Sequence, residues 1–168
     1  MDEGRDEDFV RFVEARGASL TRLAFVLSGG DEHLALDLVQ DTLLKAYRRW
    51  DRVSAAGSVN AYVRRVLVNE FLTWRRRASS RESPVPAVPD APVVDLLPED
   101  TSTDLWSLIC QMPPRQRAVL VLRYYEDLSD REIADLLDYR VGSVKVIAGR
   151  ALNELRRRIG QDSGGSRR

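Results

Sequence analysis

The chain has 168 residues, 43% of them hydrophobic and 31% charged, room for one ordinary domain or two small helical ones with heavily charged outer faces. Cys110 and His33 are the only residues of their kinds, which excludes a disulfide framework and a Cys/His zinc site and leaves each as a packing or surface residue. The 26 basic and 26 acidic side chains cancel. No apolar run approaches the roughly 18 residues of a membrane span, and the acidic opening MDEGRDED is unlike a secretory signal, so a cytoplasmic protein with no direct membrane insertion is expected.

Phe9, Phe12, Val13, Leu20, Leu23, Ala24 and Leu27 recur at helical spacing until Ser28-Gly29-Gly30 interrupts them, predicting a first helix that ends there. Asp31 is placed to cap a second helix with Glu32 in its first turn. That helix is expected to run to about Trp50 and to bury Ala35, Leu38, Val39, Thr42, Ala46 and Trp50. Residues 51–58 read as a loop. A third helix, from about Val59 to Ala78, is expected to bury Ala61, Tyr62, Val66, Leu67 and Phe71 and to end in Arg75-Arg76-Arg77.

Five of the seven prolines lie between Glu82 and Asp100, among serines, alanines and acids. Such a stretch cannot sustain a helix or build a core, so residues 82–103 read as a flexible linker. Helical spacing resumes at Leu105, Trp106, Leu108 and Ile109, pauses at Pro113-Pro114 and continues through Ala118, Val119, Leu122 and Tyr125. Three further helical pieces are expected up to Ile159, with residues 161–168 a disordered tail. No alternating strand pattern occurs, so the fold class is all-α: two small helical domains, 1–81 and 104–160, joined by a Pro-rich acidic linker.

Charge is segregated along this plan. Residues 64–81 hold six arginines against Glu70, residues 82–105 hold six acids and no base, and residues 106–168 hold twelve bases against eight acids. Two basic blocks flank an acidic bridge.

In the second block, Ser129 stands where a helix cap belongs and Glu132 where a capping box needs it. Ile133, Ala134 and Leu137 supply one inner face, Asp138-Tyr139-Arg140 a tight turn, and Val144, Ile147, Ala148 and Leu152 a second inner face. This is helix-turn-helix spacing, although an ordinary helical hairpin with a solvated face has the same outline. A second helix held this way enters a major groove and offers Ser143, Lys145 and Arg150 to base edges. Arg115, Arg117, Arg156, Arg157 and Arg158 are candidates for phosphates, which add affinity without reading sequence. On the predicted second helix, Leu36, Asp37, Gln40, Asp41, Leu44 and Tyr47 interleave apolar and polar groups away from the core. Such a stripe is either a protein-binding surface or a second, partly buried seam.

The runs DLVQDTLLKAYRRW, NAYVRRVLVNEFLTWRRR, PPRQRAVLVLRYYEDLSDREIADLL and GSVKV, in this order across residues 9–160, resemble the extracytoplasmic function (group 4) sigma factors of the sigma-70-like family. The resemblance implies a region 2 helical bundle and a region 4 helix-turn-helix. It implies binding to core RNA polymerase through clamp helices and flap, with Leu36, Asp37, Gln40, Asp41 and Leu44 on the clamp-helix surface. Promoter DNA is the second implied partner. Arg64, Arg65, Asn69, Arg75, Arg76 and Arg77 would serve the −10 element, where a base is flipped and the strands melt. Ser143, Lys145, Val146 and Arg150 would serve the −35 element. Trp74, beside the basic run, either stacks on a base or packs in the bundle, and the acidic linker either imitates a nucleic-acid backbone in the polymerase or merely tethers. An anti-sigma factor is an expected regulator, and the free chain an expected monomer.

The sequence departs from the family pattern in two places. Asp138 replaces the usual glycine of the turn, where a left-handed backbone is wanted, and aspartate tolerates that conformation better than most residues. Val146 and Gly149 replace polar side chains of the reading face, so −35 readout is expected to lean on Lys145, backbone groups and DNA shape and to discriminate less. Two rivals share the scaffold: a helix-turn-helix regulator that does not engage polymerase, and an interaction protein that only sequesters another factor. An enzyme is not expected, because there is no phosphate-binding glycine loop, no metal-ligand cluster and no nucleophile with a base, and no cofactor is called for.

Overall fold

The computed structural model describes residues 3–80 and 103–164, and the chain divides between Ala87 and Val88 into two compact units. Met1, Asp2, Arg81, residues 82–102 of the expected linker and the last four residues lie outside the described residues. All regular structure among the described residues is helical.

In the first unit, α1 (Glu3–Leu27) buries Leu20, Leu23, Ala24 and Leu27 and stops where Gly29 and Gly30 take positive φ of 70° and 88°. The freed carbonyl groups at its end are met by Ser28, whose hydroxyl donates to the Ala24 oxygen at 2.7 Å. Asp31 then caps α2 (Glu32–Arg48), its carboxylate accepting from the Leu34 amide at 3.0 Å, as the sequence predicts.

Residues 51–58 are not all loop. A short helix, α3 (Trp50–Ala55), starts at Trp50 rather than α2 ending there, and it buries Trp50 and Val53. A single apolar pair three residues apart is too short a period to register in sequence. Gly57, at φ 89°, leads into α4 (Val59–Ser80).

The buried line of α4 is Val63, Leu67, Val68 and Phe71. Tyr62 and Val66 are only half-buried and Ala61 is exposed, against expectation. Because α4 packs on both α1 and α2, its buried arc is centred on Val63, Leu67 and Phe71. Ala61 lies about 160° round the helix from Val63 at 100° per residue.

The second unit opens with α5 (Thr103–Gln111), one residue before the expected domain start, and α6 (Pro114–Leu120), which begins with the proline that suits a first helical turn. The chain then widens into one π-helical turn over Val121–Tyr125. Two helices follow, not three: α7 (Asp130–Leu137) and α8 (Val141–Gly164). The last helix thus continues to Gly164, so residues 161–164 are not the disordered tail expected. Met112, Leu120 and Ala151 form an apolar cluster with Leu152 packed against it.

Candidate DNA-binding and partner-binding surfaces

The helix-turn-helix is built from local chemistry. The Ser129 hydroxyl accepts from the Glu132 amide at 3.2 Å while the Glu132 carboxylate accepts from the Ser129 amide at 2.7 Å, a complete capping box. Asp138 closes α7 in the left-handed region, φ 56° and ψ 46°, so aspartate here does take the conformation that glycine usually supplies. Ile133, Ala134 and Leu137 of α7 and Val144 and Ala148 of α8 are all buried, and the two helices pack on one another.

Outside that crossing, Ser143, Lys145, Val146 and Arg150 are all exposed on the first turns of α8. The structure brings these four residues onto one helix. The expected phosphate contacts fare differently. Arg117 is 7% exposed and donates to the carbonyl oxygens of Cys110 at 2.9 Å and Met112 at 3.1 Å, so it is an interior group and not a DNA contact.

Arg115 is exposed but already engaged: its Nε donates to the Tyr139 hydroxyl at 2.9 Å and its guanidinium lies 4.9 Å from that ring's centre. It ties α6 to the turn of the helix-turn-helix. Arg157 and Arg158 bond Glu154 at 2.7 Å and 2.8 Å, and those bonds hold the Glu154 carboxyl down to about 2. Arg156 is exposed.

The α4 candidates occupy three sides of their helix. Arg65, Asn69 and Arg76 are exposed and fall within about 40° of one another at 100° per residue. Arg64 and Arg75 sit half-buried on one flank, with Arg77 exposed on the other. Trp74 is stacked on Phe71 with ring centroids 6.5 Å apart and planes at 20°, yet keeps 36% of its surface open. It packs on one face and is exposed on the rest. Lys45 of α2 pairs with Glu70 of α4, neutralising the one acid within the basic run.

On α2 the stripe is a true surface. Leu36 and Leu44 are 51% and 48% exposed, and Asp37, Gln40 and Asp41 between them are exposed as well. The opposite face, Leu34, Ala35, Leu38, Val39, Thr42 and Ala46, is buried.

Tyr47 does not belong to that stripe. Its hydroxyl donates to Asp6 at 2.7 Å and its ring meets Phe9 edge-on at 5.0 Å, with the Arg5 guanidinium 4.9 Å from its centre. The hydrogen bond to the Asp6 carboxylate raises the Tyr47 hydroxyl above its ordinary pKa. Tyr47 therefore fastens the start of α1 to the end of α2.

One feature escaped sequence reasoning. Arg48, Arg49, Asp51 and Arg52 line an open groove of about 450 Å³ where α2 passes into α3. Its only sequence signal is three arginines within five positions, and the break between α2 and α3 that gathers them leaves no mark in the apolar spacing. Among the described residues there is no group of His, Cys, Asp and Glu that could hold a metal ion and no helix long and apolar enough to cross a membrane.

A helical unit with an exposed apolar and acidic stripe and an Arg/Asn-bearing helix, followed by a capped helix-turn-helix unit, is the class of the sigma-70-type transcription factors. Residues 12–81 match the family model of sigma-70 region 2, and residues 102–155 match that of sigma-70, region 4. The RNA polymerase sigma-E factor of Streptomyces avermitilis is 34% identical over 160 residues, 95% of this chain and 89% of the relative. The ECF RNA polymerase sigma factor SigE of Mycolicibacterium smegmatis is 33% identical over 143 residues, covering 80% of this chain and 55% of that one. The sigma factor RpoE from Bartonella quintana, solved with the anti-sigma factor NepR, superposes with a TM-score of 0.70 at 25% identity, over 96% of this chain and 99% of that one. CnrH, solved with the cytosolic domain of CnrY, gives 0.64 at 23% identity over 94% and 90% of the two chains. The chain belongs to the extracytoplasmic function group of sigma-70-like RNA polymerase sigma factors.

Proposed function

We propose that this sigma factor docks on core RNA polymerase through Leu36, Asp37, Gln40, Asp41 and Leu44 of α2, and engages promoter DNA through α4 at the −10 element and α8 at the −35 element. The observation that carries this reading is the α2 stripe. Two leucines about half exposed among acids and an amide have no role in the unit's own core and fit a protein partner. Arg65, Asn69 and Arg76 form the outward line for the melted strand, with Arg64, Arg75 and Arg77 on its flanks. Base flipping costs a few kcal/mol of stacking, which cationic backbone contacts must offset.

At the −35 element, Ser143, Lys145, Val146 and Arg150 face the groove. Because the outward positions Val146 and Gly149 carry no polar side chain, readout discriminates less than in a fully polar face. Base-by-base replacement of the −35 element checks this, and steep losses at every position would contradict it. Nucleotide chemistry belongs to the polymerase, so the chain acts in the cytoplasm without catalysis of its own. A regulatory partner of the anti-sigma kind is part of the same reading, since the RpoE structure holds one.

The test is capture of core polymerase by the full chain, followed by mapping of the transcripts that the two start together. Gln40→Ala combined with Asp41→Ala is expected to abolish capture while leaving helicity intact. Capture that survives the pair removes the α2 surface from the reading. DNA binding without any capture of polymerase favours a helix-turn-helix regulator instead.

A further inference from the structure

Val146 is a β-branched apolar side chain standing 51% exposed near the start of the helix that faces DNA. On a helix, the surface neighbours of one residue lie three and four positions away. For Val146 these are Gly142, Ser143, Gly149 and Arg150, all exposed. A side chain added at either glycine would meet nothing within 4 Å, so no packing demand within the chain keeps those positions empty. Val146 therefore rises from a floor of bare backbone, with Arg150 and Lys145 beside it to meet the negative duplex.

An apolar knob framed by cations has one chemical counterpart in the major groove of unmodified DNA. Thymine alone presents a methyl group there, at C5, where cytosine carries only a hydrogen and the purines offer chiefly hydrogen-bonding edges. We infer that Val146 is a specificity-determining residue that reads a thymine methyl in the −35 element, with Gly142 and Gly149 allowing the helix backbone to approach close enough for contact. This rests on the proposal that α8 reads the −35 element. It turns the loss of polar readers on this helix into a different readout: one A·T pair is selected by an apolar contact.

Holoenzyme assembled from core polymerase and the full chain is bound to the promoter identified by transcript mapping, with each −35 thymine on either strand replaced singly by deoxyuridine. Deoxyuridine keeps every hydrogen bond and lacks only the methyl. One replacement is expected to weaken binding about four-fold, the loss of a single methyl from apolar contact. The same replacement is expected to have no effect on Val146→Ser, while Val146→Ile retains the discrimination. Both variants lie at an exposed site and are checked for unchanged helicity. Equal binding of thymine and deoxyuridine at every position overturns the inference, as does discrimination that persists in Val146→Ser or a −35 element without any A·T pair. If no transcript maps at all, the functional reading and this inference fall together, a result seen before any thymine is replaced.

Discussion

Arg117 and Arg115 are two residues apart and do opposite things. Cys110 lies in the last turn of α5, where helix carbonyls have no partner within the helix, and the buried Arg117 guanidinium supplies donors to it and to Met112. Replacing Arg117 with Met keeps the apolar stem but strands those carbonyls. A loss of about 2 kcal/mol in the unfolding free energy of this unit is expected, read by urea denaturation. A loss below about 0.5 kcal/mol would mean that water satisfies them equally well.

Burial pushes the Cys110 thiol up to about 11, with the nearby Arg117 charge opposing it. At pH 8 the thiol is therefore expected to resist a disulfide reagent until the chain is unfolded, since only the thiolate reacts. Fast labelling of the folded protein would contradict this. Glu154 behaves in the opposite sense. Its carboxyl is held near 2 by Arg157 and Arg158 against a reference of 4.5, so its contribution to α8 is fully present above about pH 4.5 and is lost as pH falls toward 2. A carboxyl titration by NMR is expected to place its midpoint near 2, and in Glu154→Gln the acid-dependent change at this site disappears.

At the scale of elements, short local devices decide where helices start and stop. The capping box at Ser129 and Glu132 starts a helix of only eight residues, which by itself is too short to be stable in water. Ser129→Ala is expected to cost about 1 kcal/mol, read by thermal or urea unfolding, and to weaken holoenzyme binding to −35 DNA because α8 is positioned through α7. Unchanged stability would show that tertiary packing alone sets this helix start.

The π-helical turn at Val121–Tyr125 is of another kind. It keeps Val121 and Leu122 buried and delivers the chain through Asp127, at φ 53°, to the cap of α7. There Arg123 pairs with Asp130 at 2.8 Å, joining the widened turn to the first turn of α7.

At the scale of the whole chain, the zero net charge conceals two basic helices, one in each unit, and the proposed function gives them different tasks on DNA. Phosphate contacts release counterions, so holoenzyme affinity for promoter DNA is expected to fall with salt on a logarithmic line. Arg65→Ala should reduce that slope by about one and weaken all promoters alike, whereas substitutions at Lys145 or Val146 should change which promoters are preferred. Filter binding across a salt series separates the two behaviours, and an unchanged slope in Arg65→Ala would take that residue off the DNA.

What the sequence alone determined is what short-range physics controls. Asp31, Ser129 with Glu132, the left-handed Asp138 and the buried faces of α2, α7 and α8 depend on residues within one or two turns, so their spacing is visible in the chain. The family's run of motifs adds the partner classes. Tertiary structure alone decided the rest, because each outcome needed a group outside the residue's own helix. Tyr47 left the exposed stripe when Asp6 and Phe9 came to meet it, and Val63 and Val68 replaced Ala61 in the core because α4 packs on two helices at once. Arg117, which in sequence is one more cation in a basic block, was taken out of the DNA-binding set by a carbonyl at the end of another helix.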